Sequence, residues 1–185
     1  MWKHYLDERE TERLLIRPLV RSDHMPWNEF IMDETATRFF PDDWKLSPGK
    51  SVEWIELQLK RYRENRYGLQ ALIEKRSGAF VGQCGLLTQT IDGRNELEIG
   101  YHLIRRYWGN GYATESAREF KKMGFENNLA ESIISIIDVE NISSQKVALR
   151  NGMNRVSSTK FVGMDVFIYR ISRDEYLNSS IDNTS

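Results

Sequence analysis

Apolar and polar positions repeat along this chain with two periods, and the switches between them divide it into elements. Leu14 to Leu19 (LLIRPL) reads as a first strand, with Pro18 suited to a sheet edge or a strand end. Ser22 is an N-cap candidate for a helix over 23–33, with Asp23 in its first turn. Ser47-Pro48 starts a second helix that runs to about Arg66 and carries Val52, Ile55, Leu59 and Tyr62 on one stripe. Three strands follow at Gly68 to Glu74, Ala79 to Thr90 and Glu96 to Ile104, the last two joined by the hairpin signal Asp92-Gly93. Gly111 to Glu126 turns helical, with Ala113, Ala117, Phe120 and Gly124 in line, and Ser132 to Val139 is an apolar run of buried-strand length. A short helix over Ser143 to Asn151, closed by Gly152, and strands near Arg155 to Ser158 and Asp165 to Ser172 complete the order. The pattern predicts one mixed α/β domain over 1–176, helices on both faces of its sheet, and a polar tail over 177–185 expected to be disordered. Residues 1–12 are a polar arm, either ordered or loose.

The densest chemistry lies between a strand and a helix, in Arg105 to Glu115 (RRYWGNGYATE). A glycine turn opening a helix gathers backbone N–H groups at the positive end of the helix dipole and lets an anion approach the main chain. Arg106-x-x-Gly109-x-Gly111 is not a Walker sequence, since no Gly-Lys-Ser/Thr follows, nor a dinucleotide fingerprint, which needs a third glycine.

This segment resembles the acyl-CoA pyrophosphate loop of the GNAT superfamily of N-acetyltransferases. TERLLIRPL (Thr11 to Leu19) and the LEIGY-type strand (Leu97 to Tyr101) narrow the likeness to the RimJ/RimL-like subgroup, which acetylates ribosomal-protein N-termini. The resemblance runs from about Thr11 to Ser172. It implies the GNAT fold, a mostly antiparallel sheet split between its fourth and fifth strands, and acetyl-CoA as the cofactor. Tyr112, Ala113 and Thr114 would turn their N–H groups to the pyrophosphate, beside Trp108, Gly109, Asn110 and Gly111. Arg105, Arg106 and Arg150 are the candidate phosphate partners. Asn141-Ile142-Ser143-Ser144-Gln145-Lys146-Val147 is similar to the family's Asn-x-x-Ser-x-x-Val segment. The likeness puts Asn141 on the pantetheine arm and Ser144 near the sulfur, although helix capping would account for either residue as well.

In the strand Glu96 to Ile104, odd residues (Leu97, Ile99, Tyr101, Leu103) are apolar and even ones (Glu96, Glu98, Gly100, His102) are polar or lack a side chain. Period two therefore puts two carboxylates and an imidazole on one face. The resemblance implies a bulge in this strand that would break the parity past Ile99. An amine must be neutral to attack, so a carboxylate should take its proton, and Glu98 leads, with Glu96 the alternative and His102 third. A backbone N–H near Ile99 or Tyr101 would hold the carbonyl oxygen. No tyrosine lies on the short helix over 143–151, which leaves Ser144 or a water to assist the thiolate. A solvated strand face would show the same pattern.

Composition narrows the rest. Net charge is -1 without a basic block, so no nucleic-acid footprint is indicated, and no apolar run approaches the roughly 20 residues of a membrane span. The first residues lack a signal-peptide core, and the chain is expected to be cytoplasmic. Cys84 is the one cysteine and reads as core; His4, His24 and His102 lack metal-ligand spacing, so no metal is expected. The partner expected is an amine acceptor, a protein N-terminus or a small amine, and a homodimer through a sheet edge or the C-terminal strands is plausible. Acceptor contacts are expected from the two N-terminal helices and from Phe39 to Trp44. Two rivals stand beside this reading. One is a non-catalytic acyl-CoA-binding module; the other is an enzyme for polyamines or antibiotics, using Asp33, Glu34, Asp42 and Asp43 as an acidic cleft.

Overall fold

The computed structural model describes residues 4–44, 46–47 and 49–182. Eight strands form one sheet in the order β1-β2-β3-β4-β5-β6-β8-β7. They are β1 Arg9–Glu10, β2 Leu14–Arg17, β3 Leu69–Glu74, β4 Phe80–Ile91, β5 Arg94–Leu103, β6 Ser132–Asp138, β7 Asn154–Phe161 and β8 Met164–Ser172. The helices are α1 His24–Ile31, α2 Lys50–Arg63, α3 Tyr112–Glu126, α4 Ile142–Arg150 and α5 Arg173–Asp182. Every neighbouring pair is antiparallel except β5 and β6, which run parallel with α3 as the crossover. Among the described residues no helix is long and apolar enough to cross a membrane.

Strand parity sorts the side chains into two cores. Leu97, Ile99 and Leu103 of β5 join Ala117, Phe120 and Met123 of α3 on one face. Trp27, Phe30 and Ile31 of α1 and Ile55 of α2 fill the other. Gly124 marks how closely α3 lies on the sheet, since a Cβ there would sit 2.7 Å from Ile133 Cδ1. The N-terminal arm is ordered by Tyr5, whose buried hydroxyl donates to Gly68 O at 2.6 Å and accepts from Leu86 N at 2.9 Å.

The sheet divides where expected, between the fourth and fifth of the predicted strands, here β5 and β6. The bulge expected in β5 is absent. β5 keeps an unbroken register with β4 from Gly82↔Leu103 to Ile91↔Arg94. β6 pairs with β5 at only two positions, Leu97↔Ile133 and Glu98↔Ile134, and follows β8 over its full length. Divergence of β6 opens the gap, and the parity of β5 survives past Ile99. Register shifts fall instead at Leu72/Ile73 and Arg155/Ser157.

Helix starts also moved. Ser22 is exposed within a 3-10 turn, and Asp23 organises the entry to α1 by accepting from Val20 N and from both Arg17 Nη atoms. α2 begins at Lys50 with Gly49 at its N-cap, while the predicted start at Pro48 lies outside the described residues. Its buried stripe is Ser51, Ile55 and Gln58, with Val52 exposed. Gln58 tolerates burial because its Oε1 accepts from Leu69 N. α5 occupies most of the tail expected to be disordered, and 183–185 lie outside the described residues.

Candidate active site

The gap between β5 and β6 opens into a cavity of about 470 Å³, walled by the start of α3, one face of α4 and the loop from Thr35 to Phe40. Backbone direction along β5 follows from one bond. Ile104 N donates to Val81 O, so even-numbered residues of β5 turn their N–H and C=O groups to β4. Odd-numbered residues turn theirs toward β6, and Ile99 O accepts from Ser135 Oγ at 3.0 Å. Beyond the last parallel pair, Glu98↔Ile134, Ile99 O is met by Ser135, and Tyr101 is the next odd residue after it, so its N–H aims into the gap.

The two carboxylates of β5 part company. Glu98 lines the cavity, is 8% exposed and accepts from Gln89 Nε2 at 2.8 Å. Burial pushes its pKa up to about 7, against hydrogen bonds from Gln89 and the Ile136 backbone and the charge of Arg61. Glu96 does not line the cavity. Arg170 of β8 holds both its oxygens, at 2.7 and 3.0 Å, which makes it half of a sheet-spanning ion pair. His102 lines the cavity and is packed by Phe40, Trp54 and Phe30, with ring centroids at 4.9, 5.6 and 6.0 Å. Burial pushes its pKa down to about 4, so it is a neutral imidazole at pH 7.

At the glycine turn, Gly109 has φ +78° and Gly111, the N-cap of α3, has φ +83°, the left-handed region that glycine enters without strain. A Cβ at Gly109 would meet nothing within 4 Å, so the turn faces open space. Trp108, Gly109, Gly111, Ala113 and Thr114 line the cavity; Asn110 and Tyr112 do not. Asn110 Nδ2 donates to Tyr107 O, while the Tyr112 hydroxyl donates to Glu74 at 2.6 Å. Arg105 and Arg106, expected at phosphates, turn to acidic groups on the α1 side instead. Arg105 lies 3.8 Å from Asp33 and Arg106 lies 2.7 Å from Glu29. The turn is braced by a residue the sequence reading passed over. Arg13 donates to Asn110 O at 2.8 Å and pairs with Glu115 at 2.6 Å.

On α4, Asn141 is the N-cap, its Oδ1 accepting from Ser144 N at 3.1 Å. Asn141, Ser144 and Arg150 all line the cavity, as do Ile99, Tyr101 and Leu103 from β5. The Tyr101 hydroxyl donates to Ser144 O at 2.9 Å, so β5 brings a phenol to the helix that lacks one. Ser143, Lys146 and Val147 also line the cavity and were missed; the spacing 143, 146/147, 150 is one helical face and was the available signal. Open glycines at a helix start, Lys146 and Arg150 on the facing helix, and a gap beside β5 suit a phosphate-bearing thioester.

The wall of the cavity toward α1 and the Thr35 to Phe40 loop, where acceptor contacts were expected, is aromatic, with Phe30, Phe39 and Phe40 in it. None of Asp33, Glu34, Asp42 and Asp43 lines the cavity, and Trp44 packs on Trp54. Asp33 accepts from Thr35 N and Ala36 N, capping its own turn. Cys84 is fully buried and its thiol is pushed up to about 12, the core role expected of it. Among the described residues no group of three His, Cys, Asp or Glu side chains could hold a metal ion.

Comparison with known proteins agrees with this geometry. Residues 13–154 match the acetyltransferase (GNAT) domain. The uncharacterized protein YkkB of Bacillus subtilis is 35% identical over 119 residues, which are 63% of this chain and 68% of YkkB. A GNAT-family acetyltransferase from Bacillus anthracis superposes with a TM-score of 0.75 at 22% identity, over 91% of this chain and 99% of that one. RimL, a ribosomal L7/L12 α-N-protein acetyltransferase in complex with coenzyme A, superposes at 0.74 and 15% identity, again over 91% and 99%. This chain therefore belongs to the GNAT family and is an acetyl-CoA-dependent acetyltransferase.

Proposed function

We propose that this chain moves an acetyl group from acetyl-CoA to a primary amine by direct attack within a ternary complex, with Glu98 taking the proton of the amine. The observation that carries the reading is Glu98 itself. It is a buried carboxylate opening on the cavity where β5 and β6 part, with its pKa raised to about 7. A base acts best when its pKa lies near the working pH, and an ordinary glutamate is too weak a base to deprotonate an ammonium group efficiently. The bidentate pair with Arg170 and its place outside the cavity lining weigh against Glu96 in the role.

Acetyl-CoA supplies an activated acetyl carbon and a thiolate leaving group. The first N–H groups of α3 and the side chains of Lys146 and Arg150 hold its phosphates. Asn141, through the amide nitrogen its cap leaves over, and Ser144 line the path of its arm. The Tyr101 N–H faces the carbonyl oxygen as charge builds on it. A covalent route is disfavoured because the lone thiol is in the core and hard to ionise. A buried Glu98 with a raised pKa at the cavity favours catalysis over a passive acyl-CoA-binding module, which would have no use for one.

The acceptor reading is a protein N-terminal amine, supported by the likeness to RimL and by an aromatic wall, Phe30, Phe39 and Phe40, that carries no carboxylate. Thiol release from acetyl-CoA with a panel of N-terminal peptides, polyamines, aminoglycosides and amino acids tests it. Turnover with peptides supports the reading, turnover with another class alone replaces the acceptor, and silence with every class overturns the reaction.

A further inference from the structure

The even face of β5 carries Glu98, Gly100 and His102 in succession, and all three line the cavity. Residues two apart in a strand lie about 7 Å from each other. Gly100 separates a carboxylate from an imidazole, and the space above it is taken by Leu87 and Leu69, whose Cδ atoms would stand 3.2 and 3.3 Å from a Cβ there. An amine held in the cavity beside this strand has its proton acceptor on the Glu98 side, and its substituent extends along the apolar floor toward His102 or the loop from Thr35 to Phe40.

His102 is a prepared group. Three aromatic rings fix its ring plane, and among the described residues neither ring nitrogen has a hydrogen-bond partner. A neutral imidazole offers one donor and one acceptor, so this edge is matched to an uncharged polar group. Beneath it lies a second unused donor. Gln83 is directly opposite His102 in the β4–β5 register; its Oε1 accepts from Trp54 Nε1, and its buried Nε2 has no partner among the described residues. Of the two, His102 lines the cavity and sets a polar edge among aromatic rings, while Gln83 is buried in the core.

Charge points the same way. The acidic side chains lining the cavity are Glu98 and Asp138, against Arg38, Lys146 and Arg150. A polycation would find one carboxylate besides the base, and no acidic group packs on His102.

We infer that His102 is the specificity-determining residue of the acceptor end, selecting amines whose neighbouring group is uncharged and carries a hydrogen-bonding carbonyl, as in an α-amino amide, over simple alkylamines and polycations. This rests on acetyl transfer to an amine at Glu98 and adds the chemistry of the acceptor.

The test uses the full chain with acetyl-CoA and three acceptors: alanyl-alanine amide, n-butylamine and spermidine. His102→Phe keeps the packing and removes the polar edge; His102→Gln restores a donor and an acceptor. His102→Phe should lower kcat/KM for the dipeptide amide about tenfold, the worth of one buried hydrogen bond. The KM for acetyl-CoA and the rate with n-butylamine should stay within about twofold, and His102→Gln should recover part of the loss. Calorimetric binding of the dipeptide amide should weaken in parallel, and thermal melts verify that each variant is folded. An equal loss on all three acceptors, or spermidine as the best wild-type acceptor, overturns the assignment while leaving acetyl transfer standing. No turnover by the wild type with any of the three overturns both.

Discussion

Replacing Glu98 by glutamine should cost activity and add stability, and both effects have signs fixed by one group. The carboxyl titrates at about 7 in the folded chain against an ordinary 4.5, because burial disfavours the charge. Between those pH values the folded state holds a proton that the unfolded state has released. Folding therefore takes up a proton there, and stability falls as pH rises from 4.5 to about 7, after which the loss is complete. At about 1.4 kcal/mol per pH unit the interval comes to about 3 kcal/mol, an upper figure for a group that touches a solvent-filled cavity. Glutamine carries no charge at any pH and keeps the shape of the side chain, so Glu98→Gln should escape that loss. For a chain of this size, about 3 kcal/mol is roughly 6–12 °C in melting temperature. The gain should be present at pH 8 and absent at pH 4. Turnover should fall about 10²- to 10⁴-fold, the usual contribution of a general base. The wild-type kcat/KM should rise with pH to a plateau, with an inflection near 7 that the variant lacks. Melting curves at both pH values and amine-dependent thiol release measure all three. An equal stability change at pH 4 and pH 8, or a kcat within about fivefold of wild type, would refute the reasoning.

Three further outcomes follow from the same geometry. Glu96→Gln should keep the inflection near 7 and most of the turnover, but lose about 1–2 kcal/mol in denaturant unfolding, since its partly buried pair with Arg170 is broken. Arg105→Ala and Arg106→Ala should leave the KM for acetyl-CoA within about threefold, whereas Lys146→Ala with Arg150→Ala should raise it about tenfold in steady-state assays. Gly109→Val, at φ +78° and facing the cradle, should raise that KM and lower the melting temperature, because a β-branched residue is strained there and its methyls enter the anion's space.

Local features of the site were legible in the sequence because they are written over short separations. The glycine turn, the alternation along β5, and the cap residue Asn141 with Ser144 three positions on each follow from local spacing. The alternation placed Glu98 on a single face and was right through His102, since the register of β5 against β4 has no irregularity. What the sequence withheld is pairing between distant segments. Glu96 and Glu98 look alike in the chain and differ because Arg170 arrives from β8 at Glu96, while Glu98 is buried and among the described residues no cation pairs with it. Arg105 and Arg106 sit beside the glycines, yet Glu29 and Asp33 on the α1 side draw them away. Arg13, about a hundred residues from Glu115, braces the turn through a contact that no periodicity encodes. The split between β5 and β6 was anticipated from family likeness and comes from the stronger claim of β8 on β6, while the bulge expected in β5 is replaced by an unbroken register with β4.

The most direct test of the whole account is a calorimetric titration of the full chain with acetyl-CoA, run beside Gly109→Val. The account predicts saturable one-to-one binding by the wild type and a marked weakening in the variant. Absence of binding by the folded wild type would contradict the seat assigned to the glycine turn and everything built upon it.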